Sequence, residues 1–578
     1  MVVSPRKRVL LVILAGFTVF VGWFVWNLLD AKSSLESVRS HVLSAREAIS
    51  HGDSKTAKSD AEQARSAAAD AQSSLGSLPC RIVAGIPFVG SPVVAATGIS
   101  DTVSAVTNDV LPHLIDAGEA IDLDHLRLPG GGLDVERLSR AREPLNAAVH
   151  AMDNVRALAA EIPSARFAPP VEDARAKLRE QVAELDSLLS NSERAAQLVP
   201  SMLGGSGERV YFVAFQTNAE LRGTGGFIGG TALLRANNGR VSIDRLGSNR
   251  ELKALDWGID LGPDFNGLYG DLESTKMWYN SNVSPHFPYA GQIWQDIARK
   301  EWATDIDGAI AVDPVALSYL LKATGPITLA SGEEVTSDNV VKLTESDVYE
   351  RFPTDQTARK EFLTTIAAAV LEKLAAGNGS LPAILEGVGK GVSENRVMVW
   401  SSHPEEQKVL EQTPLAHAVP ETASPYANVT IINSAPSKLD YYLRRELSYT
   451  AESCTDNRRK SSVAVKLTNT APDNLPDYVD QIEGVEGPPG TNVETIYLHA
   501  TTDSELKAVS INGVSVLDTI GRGAERGHPV YFLTVVLFPN EPIDVRFELS
   551  EPSSKGAPTL AVQPLVDNGT KRVDVPAC

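Results

Sequence analysis

Three rhythms of apolar and polar residues succeed one another along the chain. Between residues 31 and 75, Leu35, Val38, Val42, Ala45 and Ile49 recur at steps of three and four, the spacing of one helical face. His51-Gly52-Asp53 interrupts that face, and Asp53 or Ser54 can cap a second helix. Pro79, Gly85, Pro87, Gly90 and Pro92 mark a turn, after which helical spacing returns over 93–120, 135–162 and 170–199. From 206 to about 395 short apolar runs alternate with helical patterns. Strands are expected at 211–215, 231–234, 240–243, 306–312 and 327–329, and helices at 289–302, 339–349 and 355–376. Beyond about residue 410, runs such as 429–432, 461–467, 493–498, 530–537 and 543–549 lie between turn residues, as in a β-sandwich.

A fourth pattern stands before these. Arg6, Lys7 and Arg8 precede an uncharged run, 9–29, with Trp23 and Trp26 near its far end. About 20 apolar helical residues span a hydrocarbon layer, and basic residues stay in the cytoplasm. This predicts a cell-membrane protein with one N-terminal span, a cytoplasmic N-terminus and its bulk outside, a cleaved signal peptide being the alternative. The expected fold is therefore multidomain. It has a cytoplasmic tip and transmembrane helix (1–30), a helical stalk or bundle (31–205), an α/β domain on a mixed sheet (206–400) and a β-sandwich (401–578).

The stretch 211–250 carries the candidate chemistry. A buried-strand pattern runs into Asn218, Glu220 and Arg222, then into a glycine-rich passage, 223–230, and an Asn237-Asn238-Gly239 turn. Glycines let a backbone approach closely and aim several N–H groups at one anion. They equally suit a bulged hairpin in which small residues only relieve twist. Neither a P-loop nor a dinucleotide fingerprint is present, since no Gly-Lys-Ser/Thr follows and Ile228 stands where a last glycine belongs.

Composition narrows the partners. A net charge of −20 over 578 residues argues against a nucleic-acid binder. Ser242 and Ser248 lack a nucleophile elbow, and the ten histidines show no metal-ligand spacing. Of the three cysteines, Cys454 and Cys578 fall in the same strand-rich part and are the expected disulfide, leaving Cys80 over.

Asn218-Ala219-Glu220-Leu221-Arg222 followed by Thr224-Gly225-Gly226-Phe227-Ile228-Gly229 resembles the signature of a bacterial envelope family catalogued as domain of unknown function four thousand and twelve. More distantly, 210–374 resembles the LytR-CpsA-Psr envelope glycopolymer phosphotransferases. Ser242-Ile243-Asp244-Arg245 is similar to that family's Ser-Ile-Pro-Arg-Asp, with Asp244 in place of proline and Leu246 in place of aspartate. Asp355 and Arg359, ahead of Phe362-Leu363, resemble its Asp-x-x-Arg, with one extra residue between them.

That second resemblance implies a polyprenyl-pyrophosphate glycolipid donor, a cell-wall polymer acceptor and a magnesium ion. It implies a catalytic set of Arg222, Arg245, Arg359 and Asp355. It further implies a phosphate site of Arg222, Gly225, Gly226, Arg245, Arg351 and Arg359, with Glu220 and Asp355 on the metal. Guanidinium forks suit phosphate oxygens, and magnesium takes one or two carboxylates plus phosphate. The alternative is a non-catalytic envelope scaffold displaying an adhesive β-sandwich.

Overall fold

The computed structural model describes the backbone from Pro5 onward, except residues 123–124, 166, 455–456 and 481–484, and side chains from Thr18 onward, except those residues and Ser50. The chain divides into two compact units, Met1–Gly207 and Glu208–Cys578.

The first unit is helical. Helix Pro5–Ser50 is followed by Ser54–Leu75, whose N-cap Asp53 accepts from the backbone N–H of Thr56. The face anticipated at 35–49 packs there, with Ala45 and Val38 buried against Ala57, Ala61 and Ala64. Ser91–Ala105, Arg142–Glu161 and Pro169–Met202 complete a bundle around Leu145, Met152 and Leu189.

The membrane expectation is corrected here. Among the described residues no helix is long and apolar enough to cross a membrane. Along its described side chains the N-terminal helix carries no charge from Thr18 to Leu29. It then continues without a break through Asp30, Lys32 and Glu36. The transmembrane helix, the single-span membrane partner and the single-pass localisation fall with that finding. The side chains of 9–17, the first part of the expected run, lie outside the described residues.

The second unit begins with the mixed sheet. Strands β1 (Arg209–Thr217), β2 (Phe227–Asn237), β3 (Arg240–Ser248) and β4 (Gly308–Val312) are joined by β7 (Val397–Ser401) in the order β3-β2-β1-β4-β7. A small hairpin, β5 (Ile327–Thr328) with β6 (Glu334–Val335), stands apart. Within the five-stranded sheet β1 pairs with β4 in parallel and the other neighbours are antiparallel. Central β1 is covered on both faces, which is why 210–214 reads as an unbroken apolar run. The β2–β3 turn has Asn238 and Gly239 both at positive φ, the two-residue hairpin that Asn-Gly favours.

The sandwich follows. Its strands are β8 (Tyr426–Asn433), β9 (Leu443–Ala451), β10 (Arg458–Asn469), β11 (Asn492–Ala500), β12 (Glu505–Ile511), β13 (Val514–Ser515), β14 (Gly521–Glu525), β15 (His528–Leu537), β16 (Ile543–Pro552), β17 (Thr559–Val562) and β18 (Thr570–Asp574). One sheet is ordered β13-β12-β16-β10-β9-β18 and the other β14-β15-β11-β8-β17.

The sandwich and the α/β part are one unit rather than separate domains. Ile432, Tyr497 and Val530 of the β8/β11/β15 sheet share a core with Phe212, Phe287 and Trp294. In the other direction, Leu221 of the glycine-rich segment is fully buried among Val429, Leu498 and Leu565 of the sandwich core.

Cys454 and Cys578 are joined by a disulfide across a separation of 124 residues. Beside it the buried pair Arg459–Glu551 meets at 2.7 Å, and Arg459 donates to the carbonyl of Pro576 at 2.6 Å. Replacing Cys454 by serine is expected to cost about 2–5 kcal/mol, read as a lower urea midpoint with unchanged slope. A midpoint equal to that of the wild type would show that the cross-link adds nothing to this end of the chain.

Candidate functional site

A cavity of about 1010 Å³ lies where the ends of β1 and β2, helix Gln356–Ala375 and the sandwich sheet meet. Ligand pockets commonly hold about 300–1,000 Å³, so there is room for much more than a bare phosphate. Five cationic side chains line it (Arg222, Arg250, Arg359, Lys360 and Lys438), against three acidic ones (Glu220, Glu345 and Asp477). Trp278, Tyr478 and Tyr497 give it aromatic walls.

The glycine-rich segment builds the frame of this site rather than its anion shell. A Cβ on Gly223 would stand 2.0 Å from the carbonyl oxygen of Val283, and one on Gly226 would stand 2.3 Å from that of Thr217. Gly225 has φ +118° and abuts Pro564. Asn282 ties the loop down by donating to Thr224 and to the carbonyl of Gly226, both at 2.8 Å. Gly225 and Gly226, expected on a phosphate, are therefore packed against the protein itself, and it is Gly229 and Gly230 that border the cavity.

Arg222 is nearly saturated. It donates to Glu220 at 2.9 Å, to the carbonyl of Tyr279 at 3.0 Å and to its neighbour Leu221 at 2.8 Å. Glu220 accepts a second cation, Lys438 of the sandwich. Burial works to raise the pKa of Glu220, but Lys438 and Arg222 outweigh it and hold the carboxyl below its ordinary value.

Arg359 is the other expected arginine on this cavity. It is 1% exposed, lies 3.6 Å over the ring of Tyr478 and donates to the carbonyl of Phe352 at 2.9 Å, while its Nη2 has no hydrogen-bond partner. The remaining expected residues stand elsewhere. Arg245 pairs with Glu251 at 2.6 Å and covers Trp302, and Arg351 pairs with Glu333 at 2.7 Å over Phe362. Asp355 caps its helix by accepting from the N–H of Ala358 at 2.9 Å. Of the expected catalytic arginines, Arg222 and Arg359 thus line one cavity and Arg245 does not; Arg245, and Arg351 of the expected phosphate site, each have a nearer carboxylate at the surface.

Magnesium does not fit the residues expected to hold it. Glu220 is occupied by two cations and Asp355 by a helix end, and no cluster of three acidic, histidine or cysteine side chains occurs among the described residues.

Sequence reasoning passed over Lys360, Lys438 and Glu345. Lys360 was the most legible: Gln356, Lys360, Leu363, Thr364 and Ala367 share one face of their helix and all line the cavity. Among the described residues its ammonium donates only to the carbonyl of Gly229, at 3.3 Å. Burial, with Lys438 and Arg359 nearby, lowers its pKa to about 7. Glu345 sits in a π-helical turn, Leu343–Asp347, a local irregularity frequent at functional sites. Burial raises its pKa to about 7 against hydrogen bonds from Thr217 and from the N–H of Ala219, both at 2.7 Å.

The native state thus holds a proton on Glu345 that the unfolded chain releases at about pH 4.5. Stability from this group is complete below that pH and is lost as pH rises through about 7. Glu345→Gln is expected to gain on the wild type across that window, with little change in the difference at lower pH. Denaturant midpoints at several pH values check this, and a pH-independent difference would contradict it.

Residues 206–349 match a family described as protein of unknown function (DUF4012). The match takes in β1 to β4 and the Glu345 turn, but it stops short of Arg359, Lys360 and the sandwich. No curated protein and no solved structure matches the chain. The LytR-CpsA-Psr likeness is supported by none of these comparisons.

Proposed function

We propose that this chain, with its segment of the DUF4012 family, is a binding protein for a phosphate- or pyrophosphate-bearing glycoconjugate held in the cavity between the mixed sheet and the sandwich. One observation carries the reading. Lys360, Arg359, Lys438 and Arg250 converge on a single cavity in which the one well-ionised buried carboxylate, Glu220, is already bonded to Arg222 and Lys438. Gathering like charges in a partly desolvated space costs free energy that a bound anion offsets. Guanidinium and ammonium groups together are the chemistry that recognises phosphate oxygens.

The rest of the cavity suits a larger ligand. Trp278, Tyr478 and Tyr497 add apolar wall to the cation cluster. Binding is favoured over transfer because the residues that would run a transfer are engaged elsewhere. Asp355 is a helix cap, Arg245 and Arg351 are in surface pairs, and Glu220 is fully paired.

Calorimetric titration of the full chain with inorganic pyrophosphate tests the reading. Saturable binding that weakens steeply with salt is expected, since several cations meet one polyanion. Absence of binding at low ionic strength would overturn it.

A further inference from the structure

The cavity holds two amines, and they differ. Lys438, like Arg222, is bonded to Glu220, while Arg359 lies on Tyr478 and Arg250 donates to Thr357 from the rim. Among the described residues Lys360 has only the carbonyl of Gly229 and no carboxylate partner, and it projects from the cavity-facing side of a 20-residue helix. An amine held among cations and apolar walls keeps a free lone pair near neutral pH, the condition for attack on a carbonyl carbon.

The geometry points to Lys360 as a reactive amine that forms an imine with a phosphorylated aldehyde or ketone, such as the open-chain form of a sugar phosphate. The inference rests on the anion-binding reading, because the phosphate would be held by the neighbouring cations while the carbonyl meets Nζ. The lone pair of Nζ attacks the carbonyl carbon, and the C–O bond breaks after proton transfer. The oxygen then leaves as water, and the nitrogen has given up its two hydrogens for the C=N bond. No redox partner is consumed. Burial and the neighbouring Lys438 and Arg359 lower the pKa of this amine to about 7, from 10.5 for an ordinary lysine. Glu220 opposes that shift, Arg250 adds to it, and Glu345, Asp477, Tyr349 and Tyr478 are the other titratable groups on the same walls.

The test uses the full chain with pyridoxal 5′-phosphate, a phosphorylated aldehyde, followed by borohydride to reduce any imine to a stable secondary amine. Peptide mapping is expected to place the adduct on Lys360, with a pH midpoint of labelling near 7 rather than 10.5. Inorganic pyrophosphate should protect the residue, and pyridoxal without its phosphate should label it at least tenfold less. Lys360→Arg, which keeps the cation, should remove the adduct while the thermal midpoint stays close to that of the wild type. Labelling scattered over surface lysines, or a Lys360 that stays unmodified, would overturn the proposal. Pyrophosphate calorimetry in parallel separates the two readings. Binding without an adduct ends the imine chemistry and leaves the binding reading standing, whereas loss of both ends both.

Discussion

Arg222→Ala is expected to destabilise the Glu208–Cys578 unit by about 3–5 kcal/mol, the usual cost of leaving a buried partner uncompensated. Arg222 is 6% exposed and its guanidinium ties Glu220 and Leu221 of its own turn to the carbonyl of Tyr279. Its own carbonyl accepts from Gln563 of the sandwich at 2.7 Å, and the N–H of Leu221 beside it donates to Asp440 at 2.7 Å. Alanine would leave Glu220 with Lys438 alone and open a void beside Phe227, whose ring lies 5.4 Å from the guanidinium carbon. Urea denaturation of the purified variant measures the loss. A variant as stable as the wild type, with pyrophosphate binding abolished, would instead make Arg222 a dedicated ligand-binding group.

Lys360→Met should act in the opposite sense on stability and in the same sense on binding. The lysine is pushed to about pKa 7 in the folded protein, so its stability contribution is present above about pH 10.5 and is lost as pH falls through about 7. Methionine fills similar space without a charge, so the variant should be more stable than the wild type below about pH 7. That advantage should shrink as pH rises. Pyrophosphate affinity should fall roughly tenfold to a hundredfold, the worth of one charge-assisted hydrogen bond of about 1.5–3 kcal/mol. Thermal midpoints across pH and calorimetry on the same samples check both halves. A variant that is destabilised and still binds fully would place Lys360 among ordinary structural lysines.

How far these residues were legible depended on the range of the interactions that place them. Local rules were readable: the 211–215 run as a buried strand, Asn238-Gly239 as a tight turn, and Asp53 as a helix cap. Asp355, read as a metal ligand, shows the limit of such reading, since a carboxylate at a helix start satisfies backbone N–H groups before it is available to a metal. The glycine run fitted an anion cradle and a packed hairpin equally well from sequence, and only its contacts with 282–284 and Pro564 decide for packing. The arginines were read as a cluster because the LytR-CpsA-Psr resemblance implied one. Arg245 and Arg351 instead found Glu251 and Glu333, pairings set by tertiary proximity that spacing does not encode.

Lys438 was missed because it enters the site, with Tyr478, from a part of the chain read as a separate domain. Lys360 and Glu345 lie inside the expected α/β region, and only the packing of their helices brings them to the cavity. The insertion of Leu221 into the sandwich core, and the packing of Ile432, Tyr497 and Val530 against Phe212 and Trp294, reveal that the two parts fold together. The N-terminal apolar run illustrates the converse. Its residue types matched a span, while among the described residues no helix is long and apolar enough to cross a membrane.

The central claim, that the cavity beneath the sandwich receives a phosphate-bearing ligand, is tested most directly by a difference-density map from crystals of the full chain grown with pyrophosphate. The account predicts an anion within hydrogen-bonding distance of Lys360 Nζ and of a guanidinium of Arg250 or Arg359. Density confined to the surface arginines 245 and 351, or an empty cavity at saturating pyrophosphate, would contradict it.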